Sequence, residues 1–103
     1  MIRHVVLWKV KDQAMGLGKE ALAREMKSRL ETLPGRVPGI RFFQVGRQAL
    51  PAALETESDL VLVSDFDDLA ALKAYAEHPE HLKVVDFVKQ AAAERRVVDF
   101  EVG

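Results

Sequence analysis

The chain has 103 residues, 49% hydrophobic and 30% charged, with six Gly, four Pro and no Cys. That length holds one domain, residues 1–103, and the composition excludes disorder as the main state, disulfides, thiolate nucleophiles, iron–sulfur clusters and zinc ribbons. Fifteen basic against sixteen acidic side chains leave a net charge of −1 with the signs interspersed, so no nucleic acid is expected as a partner.

The first segment, IRHVVLWKV over Ile2 to Val10, is rich in β-branched and aromatic residues and carries apolar side chains at even and odd positions. It reads as a strand buried on two faces. Its apolar run, Val5 to Trp8, is too short for a signal-peptide core or a membrane span. With no cysteine, the expected compartment is the cytoplasm, and no membrane partner is expected. After a polar stretch with Gly16 and Gly18, Leu22, Met26, Leu30 and Leu33 recur at spacings of four, four and three. This predicts an amphipathic helix ended by Pro34-Gly35. Pro38-Gly39 leads into a strand from Ile40 to Val45 that closes at Gly46, with Phe42 and Phe43 on opposite faces.

Residues 47–58 read as a solvated arch. Asp59 to Phe66, DLVLVSDF, is again a strand with apolar residues on both sides, and Asp67 and Asp68 stand where a helix cap and first-turn acid belong. Leu69, Leu72 and Tyr75 or Ala76 keep helical spacing up to His78-Pro79. Proline disfavours a helical residue before it and suits the first position of a new helix, which predicts a break at His78 and a second helix. Leu82, Val85, Val88 and Ala92 mark that helix's apolar stripe, and VVDFEV, Val97 to Val102, closes the chain as a strand.

The order β-α-β-β-α-β predicts an α+β, ferredoxin-like fold, a four-stranded antiparallel sheet with helices on one face. Alternation places His4, Val6, Trp8, Phe42, Leu62 and Phe100 on one side, and Val5, Leu7, Phe43, Val45, Val61, Val63 and Val97 on the other. Burying the second set of seven would contribute at most roughly 10 to 20 kcal/mol. Association costs about 4 to 15 kcal/mol, so a homodimer through the sheet is expected.

The opening I-x-H-x-V strand, the block SDLVLVSDFDDLAALKAYAEHPEH with its Y-x-x-H-P-x-H segment, and the ending RRVVDFEV together resemble the stress-responsive A/B barrel family. The resemblance spans essentially the whole chain and implies that the sheets of two protomers pair into a dimeric α+β barrel. Many members of that family are known as stress-induced or very stable proteins. A plant member is a polyketide (olivetolic acid) cyclase, which closes an aromatic ring by intramolecular aldol condensation. Its histidine from the first strand, and its tyrosine and histidine from the helical segment, fall on His4, Tyr75 and His81 here, with His78 as a weaker fourth. The apolar residues that shape a polyketide pocket do not match with the same assurance, so the substrate is not carried over.

Read as residues alone, His4 is a core histidine bonded to backbone or to Tyr75, His78 caps the second helix, and His81 is a half-exposed surface histidine. If His81 faces a cavity under the sheet, its ordinary pKa near 6.5 suits a general base. Tyr75 then supplies a phenolic donor for an enolate oxygen, and His4 orients the carbonyl. Metal binding is set aside because Pro79 interrupts the helix between His78 and His81. Ser28, in a helix, and Ser64, in a strand, sit in no nucleophile elbow, and Gly16-Leu17-Gly18 lacks the strand-turn-helix setting of a phosphate site. No cofactor is expected. Three functions stay open: a cofactor-free cyclase or related carbon-acid chemistry on a small, largely apolar molecule, a non-enzymatic stress-associated binding or structural protein, and cofactor-free monooxygenase-like activity.

Overall fold

The computed structural model describes residues 1–48 and 57–103. The elements are β1 (Ile2–Val10), β2 (Gln13–Ala14), β3 (Leu17–Gly18), α1 (Lys19–Leu30), a 3₁₀ turn (Leu33–Gly35), β4 (Phe42–Arg47), β5 (Leu60–Phe66), α2 (Leu69–Glu77), α3 (Pro79–Ala91) and β6 (Ala92–Glu101). β4, β5, β1 and β6 form one four-stranded sheet in that spatial order, every pairing antiparallel. This is the ferredoxin-like arrangement. The arch at 47–58 lies, except for its ends, outside the described residues.

β2 and β3 pair as a two-residue hairpin across Met15 and Gly16, both at positive φ (53° and 74°). That backbone matches the twist of a tight hairpin. Methionine is a rare residue there, so the sequence carried only half of the turn's signature.

α1 buries Leu22, Ala23, Met26 and Leu30 against the sheet, and the 3₁₀ turn adds Leu33. Its charged side is solvated by its own pairs, Arg29 with Glu25 and Lys27 with Glu31. The cap of α2 is Asp68, which accepts from the Ala71 amide at 2.8 Å. Asp67 sits one residue outside and pairs instead with Arg41. α2 stops at His78, whose backbone is extended (φ −65°, ψ 135°), and α3 starts at Pro79. The fixed proline φ and the lost amide make this the cheapest place to change direction. The buried stripe of α3 is Val84, Phe87, Val88 and Ala91, with Arg29 lying 3.9 Å over the Phe87 ring. Leu82, expected in that stripe, is exposed.

His4, Val6, Trp8 and Val10 of β1 face the helices and are buried, as are Leu60, Leu62, Ser64 and Phe66 of β5. The pairing register assigns the outer strands. Val45 lies opposite Leu62 and Phe43 opposite Ser64, so both face the helices, and Val97 joins them opposite Val6. Phe42 lies opposite Asp65 and Phe100 opposite Arg3, so both belong to the open side with Val5, Leu7, Val61, Val63 and Val98. This reverses the sides expected for Phe42, Phe43, Val45, Val97 and Phe100. The doublets Phe42-Phe43 and Val97-Val98 are apolar in either phase, and a one-residue slip exchanges the faces. On the open side Arg3 reaches Asp65 through two parallel bonds of 2.8 and 2.9 Å. Among the described residues no helix is long and apolar enough to cross a membrane.

Candidate functional site

Between the sheet and the helices lies a cavity of about 500 Å³. Its floor comes from β1 and β5 (Val6, Trp8, Leu62), and its roof from α3 (Val84, Val85, Val88). Leu82 and Ala92 also line it, so the spacing read as a core stripe is in part the cavity wall. The polar groups are few: His4, Tyr75 and His81, with Lys89, Glu94 and Arg95 at the rim. A mostly apolar hollow with a few convergent polar groups is the form that small-molecule sites take.

The three residues singled out from the sequence meet here. Tyr75, on the last turn of α2, is 2% exposed and packs on Phe66, centroid to centroid 4.9 Å. The His81 ring lies 4.4 Å from the Tyr75 ring, and the His4 ring 6.4 Å from it. The α2–α3 break sets this geometry. A continuous helix would rotate residues 75 and 81 apart, whereas the turn at His78-Pro79 brings the first turn of α3 back beside the last turn of α2.

Each of the two site histidines has one nitrogen engaged by a group that can only accept. His81 Nδ1–H donates to the Ala76 carbonyl at 2.9 Å. His4 Nδ1–H donates to the Asp99 carboxylate at 2.5 Å. In the neutral ring this fixes the tautomer and leaves Nε2 with its lone pair. Burial pushes the His81 pKa below its ordinary value of 6.5, partly offset by the Ala76 carbonyl and reinforced by Arg95 and the neighbouring imidazoles of His4 and His78. At neutral pH His81 is therefore an unprotonated base. Burial raises the Tyr75 phenol well above its ordinary value of 10.0, so it stays protonated.

The Tyr75 hydroxyl and the Trp8 indole N–H are buried with no hydrogen-bond partner. Each such orphan costs of order 1 to 3 kcal/mol. Both donors belong to residues that line the cavity, and a buried donor without a partner is a group that calls for an explanation.

His78 does not join the group. Its Nδ1 accepts from the Glu80 amide at 3.1 Å and caps α3, as its position before Pro79 implied. His4 bonds neither to backbone nor to Tyr75 through its side chain; its partner is Asp99, which sequence reasoning missed. The signal was there, since His4 and Asp99 are register partners across β1 and β6, but it becomes readable only once the pairing is known. Trp8 as a donor and Arg95 as a rim cation were missed for the same reason. Among the described residues no group of three His, Asp or Glu side chains converges to hold a metal ion.

The family model described as Stress responsive A/B Barrel Domain matches residues 2–102. None of the curated proteins matches. Among solved structures the chain is similar to a dimeric protein of unknown function and ferredoxin-like fold from Bacteroides fragilis, at 31% identity and a TM-score of 0.84, covering 98% of this chain and 95% of that one. It is similar to a dimeric ferredoxin-like protein of unknown function from Thermobifida fusca, at 25% identity and a TM-score of 0.81, covering 98% and 90%. It also shares its fold with a hydroxynitrile lyase from Passiflora edulis, at 17% identity and a TM-score of 0.83, covering 99% and 93%.

Proposed function

The chain belongs to the stress-responsive A/B barrel domain family, and we propose that this member is a cytoplasmic homodimer whose protomers each bind a small, largely apolar carbonyl compound between sheet and helices and act on it, without a cofactor, as a carbon acid. One observation carries this reading. The ring of His81, with its Nδ1–H on the Ala76 carbonyl and Nε2 left free, and the ring of Tyr75, whose hydroxyl is protonated and unpartnered, lie 4.4 Å apart among the residues that line one apolar cavity.

Removal of a proton beside a carbonyl needs a base and a donor for the oxygen that becomes an enolate. His81 Nε2 takes the proton, and the imidazolium formed keeps its Nδ1–H on the Ala76 carbonyl. Tyr75 gives its O–H to the enolate oxygen, with the Trp8 N–H as a second donor in the same wall. His4 is held in one orientation by Asp99 and presents a second Nε2, an acceptor for an O–H of the ligand. The enolate is the nucleophile of an aldol ring closure, so cyclisation is the member of this reaction class that the site fits.

The dimer is supported by the open side of the sheet, where Leu7, Phe42, Val98 and Phe100 are exposed, and by the dimeric state of the similar proteins from Bacteroides fragilis and Thermobifida fusca.

Benzylacetone in deuterated buffer tests the chemistry without knowledge of the natural substrate. The wild-type dimer is expected to exchange the protons beside the carbonyl, followed by proton NMR, about 10² to 10⁴ times faster than His81→Gln. Exchange no faster than in His81→Gln, in a protein that still binds the ketone, would leave the cavity as a binding site of a non-enzymatic stress-associated protein.

A further inference from the structure

Arg3, Arg29, Arg36, Arg41 and Arg47 each meet a carboxylate. Arg95 meets none among the described residues, yet it lines the cavity. It is the register partner of Trp8, so it sits on the helix-facing side of β6, away from the face that pairs in the dimer. Lys89 of α3, also without a carboxylate, stands at the same rim. Arg24 and Arg96 also meet no carboxylate among the described residues, but neither lines the cavity. Of the nearby acids, Asp99 is taken by His4, and Glu94, which also lines the cavity and is the register partner of Lys9, forms no ion pair with Arg95. The Arg95 charge is felt inside. Beneath the larger effect of burial, it lowers the pKa of both Tyr75 and His81.

A guanidinium is a planar fork that matches a carboxylate through two parallel bonds. At a rim still wetted by solvent, such a pair forms without the full desolvation cost of a buried one. The lining therefore offers two kinds of polar group, the cations of Arg95 and Lys89 and the uncharged groups of Tyr75 and His81, set among apolar side chains.

We propose that the cavity selects acids: its ligand carries a carboxylate that Arg95 holds at the mouth, while its apolar body lies on Trp8, Val85 and Val88. This rests on the cavity being a ligand site and is independent of whether His81 performs chemistry there. Held at its acid end, the ligand's other functional group is directed toward His81 and Tyr75.

Trp8 is the sole tryptophan and part of the wall, so its fluorescence reports occupancy of the full-length protein. The probes are phenylbutyrate and its uncharged amide, phenylbutyramide. Wild type is expected to bind the acid at least about ten-fold tighter than the amide, the span of a charge-assisted hydrogen bond. Arg95→Gln is expected to bring the two affinities within about two-fold, and Arg95→Lys to keep part of the difference. Arg95→Lys serves if Arg95→Gln does not fold. Inorganic phosphate at matched ionic strength is expected not to displace the acid.

Equal affinity for acid and amide in wild type, or a preference that survives Arg95→Gln, would overturn acid selection and leave the cavity reading standing. Displacement by phosphate would assign Arg95 to a different anion and overturn the carboxylate. No response of Trp8 to either probe would overturn the cavity reading and the selectivity with it.

Discussion

The two faces of the sheet are built from alternate residues of the same strands, yet they leave opposite kinds of business unfinished. On the helix-covered face, apolar side chains are buried and the unsatisfied groups are polar: the Tyr75 hydroxyl, the Trp8 indole N–H and the Arg95 guanidinium. On the open face Arg3 and Asp65 are closed on each other by two bonds, and Arg96, opposite Leu7, is exposed to solvent. Much of the rest of that face is apolar, notably Leu7, Phe42, Val98 and Phe100. An orphaned donor calls for a small acceptor, whereas an apolar sheet calls for another apolar surface. On the function proposed above, one strand pattern serves ligand recognition on one side and self-association on the other.

The largest effect is expected on the open face. Val63→Glu puts a charge at the centre of that face and one more on the partner, and each lost side-chain burial costs about 1.5 to 3 kcal/mol before repulsion is added. Sedimentation at micromolar concentration is expected to change from dimer to monomer, with ketone exchange retained because the cavity lies within one protomer. A wild-type monomer under the same conditions would break the division of faces.

His81→Gln comes next, with the loss of exchange described above and no change in sedimentation. Tyr75→Phe is expected to slow exchange about 10²-fold, as loss of an oxyanion donor does, and to leave thermal stability unchanged or raised, because it deletes an unpaired buried donor. A Tyr75→Phe protein that is strongly destabilised would identify the hydroxyl as a structural partner.

The pH dependence sharpens the same point. The folded-state pKa of His81 lies below 6.5, so its base form is fully present above that value. Exchange is expected to fall as pH drops through the depressed pKa, and the His81 share of stability to be lost over the same window. The smallest effect belongs to His78. His78→Ala removes a helix cap worth about 1 kcal/mol and is expected to lower the melting temperature while exchange persists.

The order of elements and the break at His78-Pro79 were legible from composition and spacing, because proline and the glycine turns punctuate the chain unambiguously. So was the grouping of His4, Tyr75 and His81, through the motif they share with a known family. The faces of the outer strands were not. Phe42-Phe43 and Val97-Val98 satisfy either phase, and only pairing with β5 and β1 decides which member looks inward. Asp99 went unseen for the same reason: a partner 95 residues away is fixed by register, not by local pattern. The tautomers of His4 and His81 lie further still from the sequence, since each depends on which acceptor its Nδ1–H meets.

The three histidines make one measurement decisive: a nitrogen-15 NMR titration of the imidazole rings, with and without benzylacetone. His81 is expected to be protonated at Nδ1 and bare at Nε2 at neutral pH, to titrate below 6.5, and to shift on addition of the ketone, while His78 does not respond to it. A His81 that carries its proton on Nε2, or that titrates as an ordinary histidine and ignores the ketone, would contradict its role as the base of this cavity.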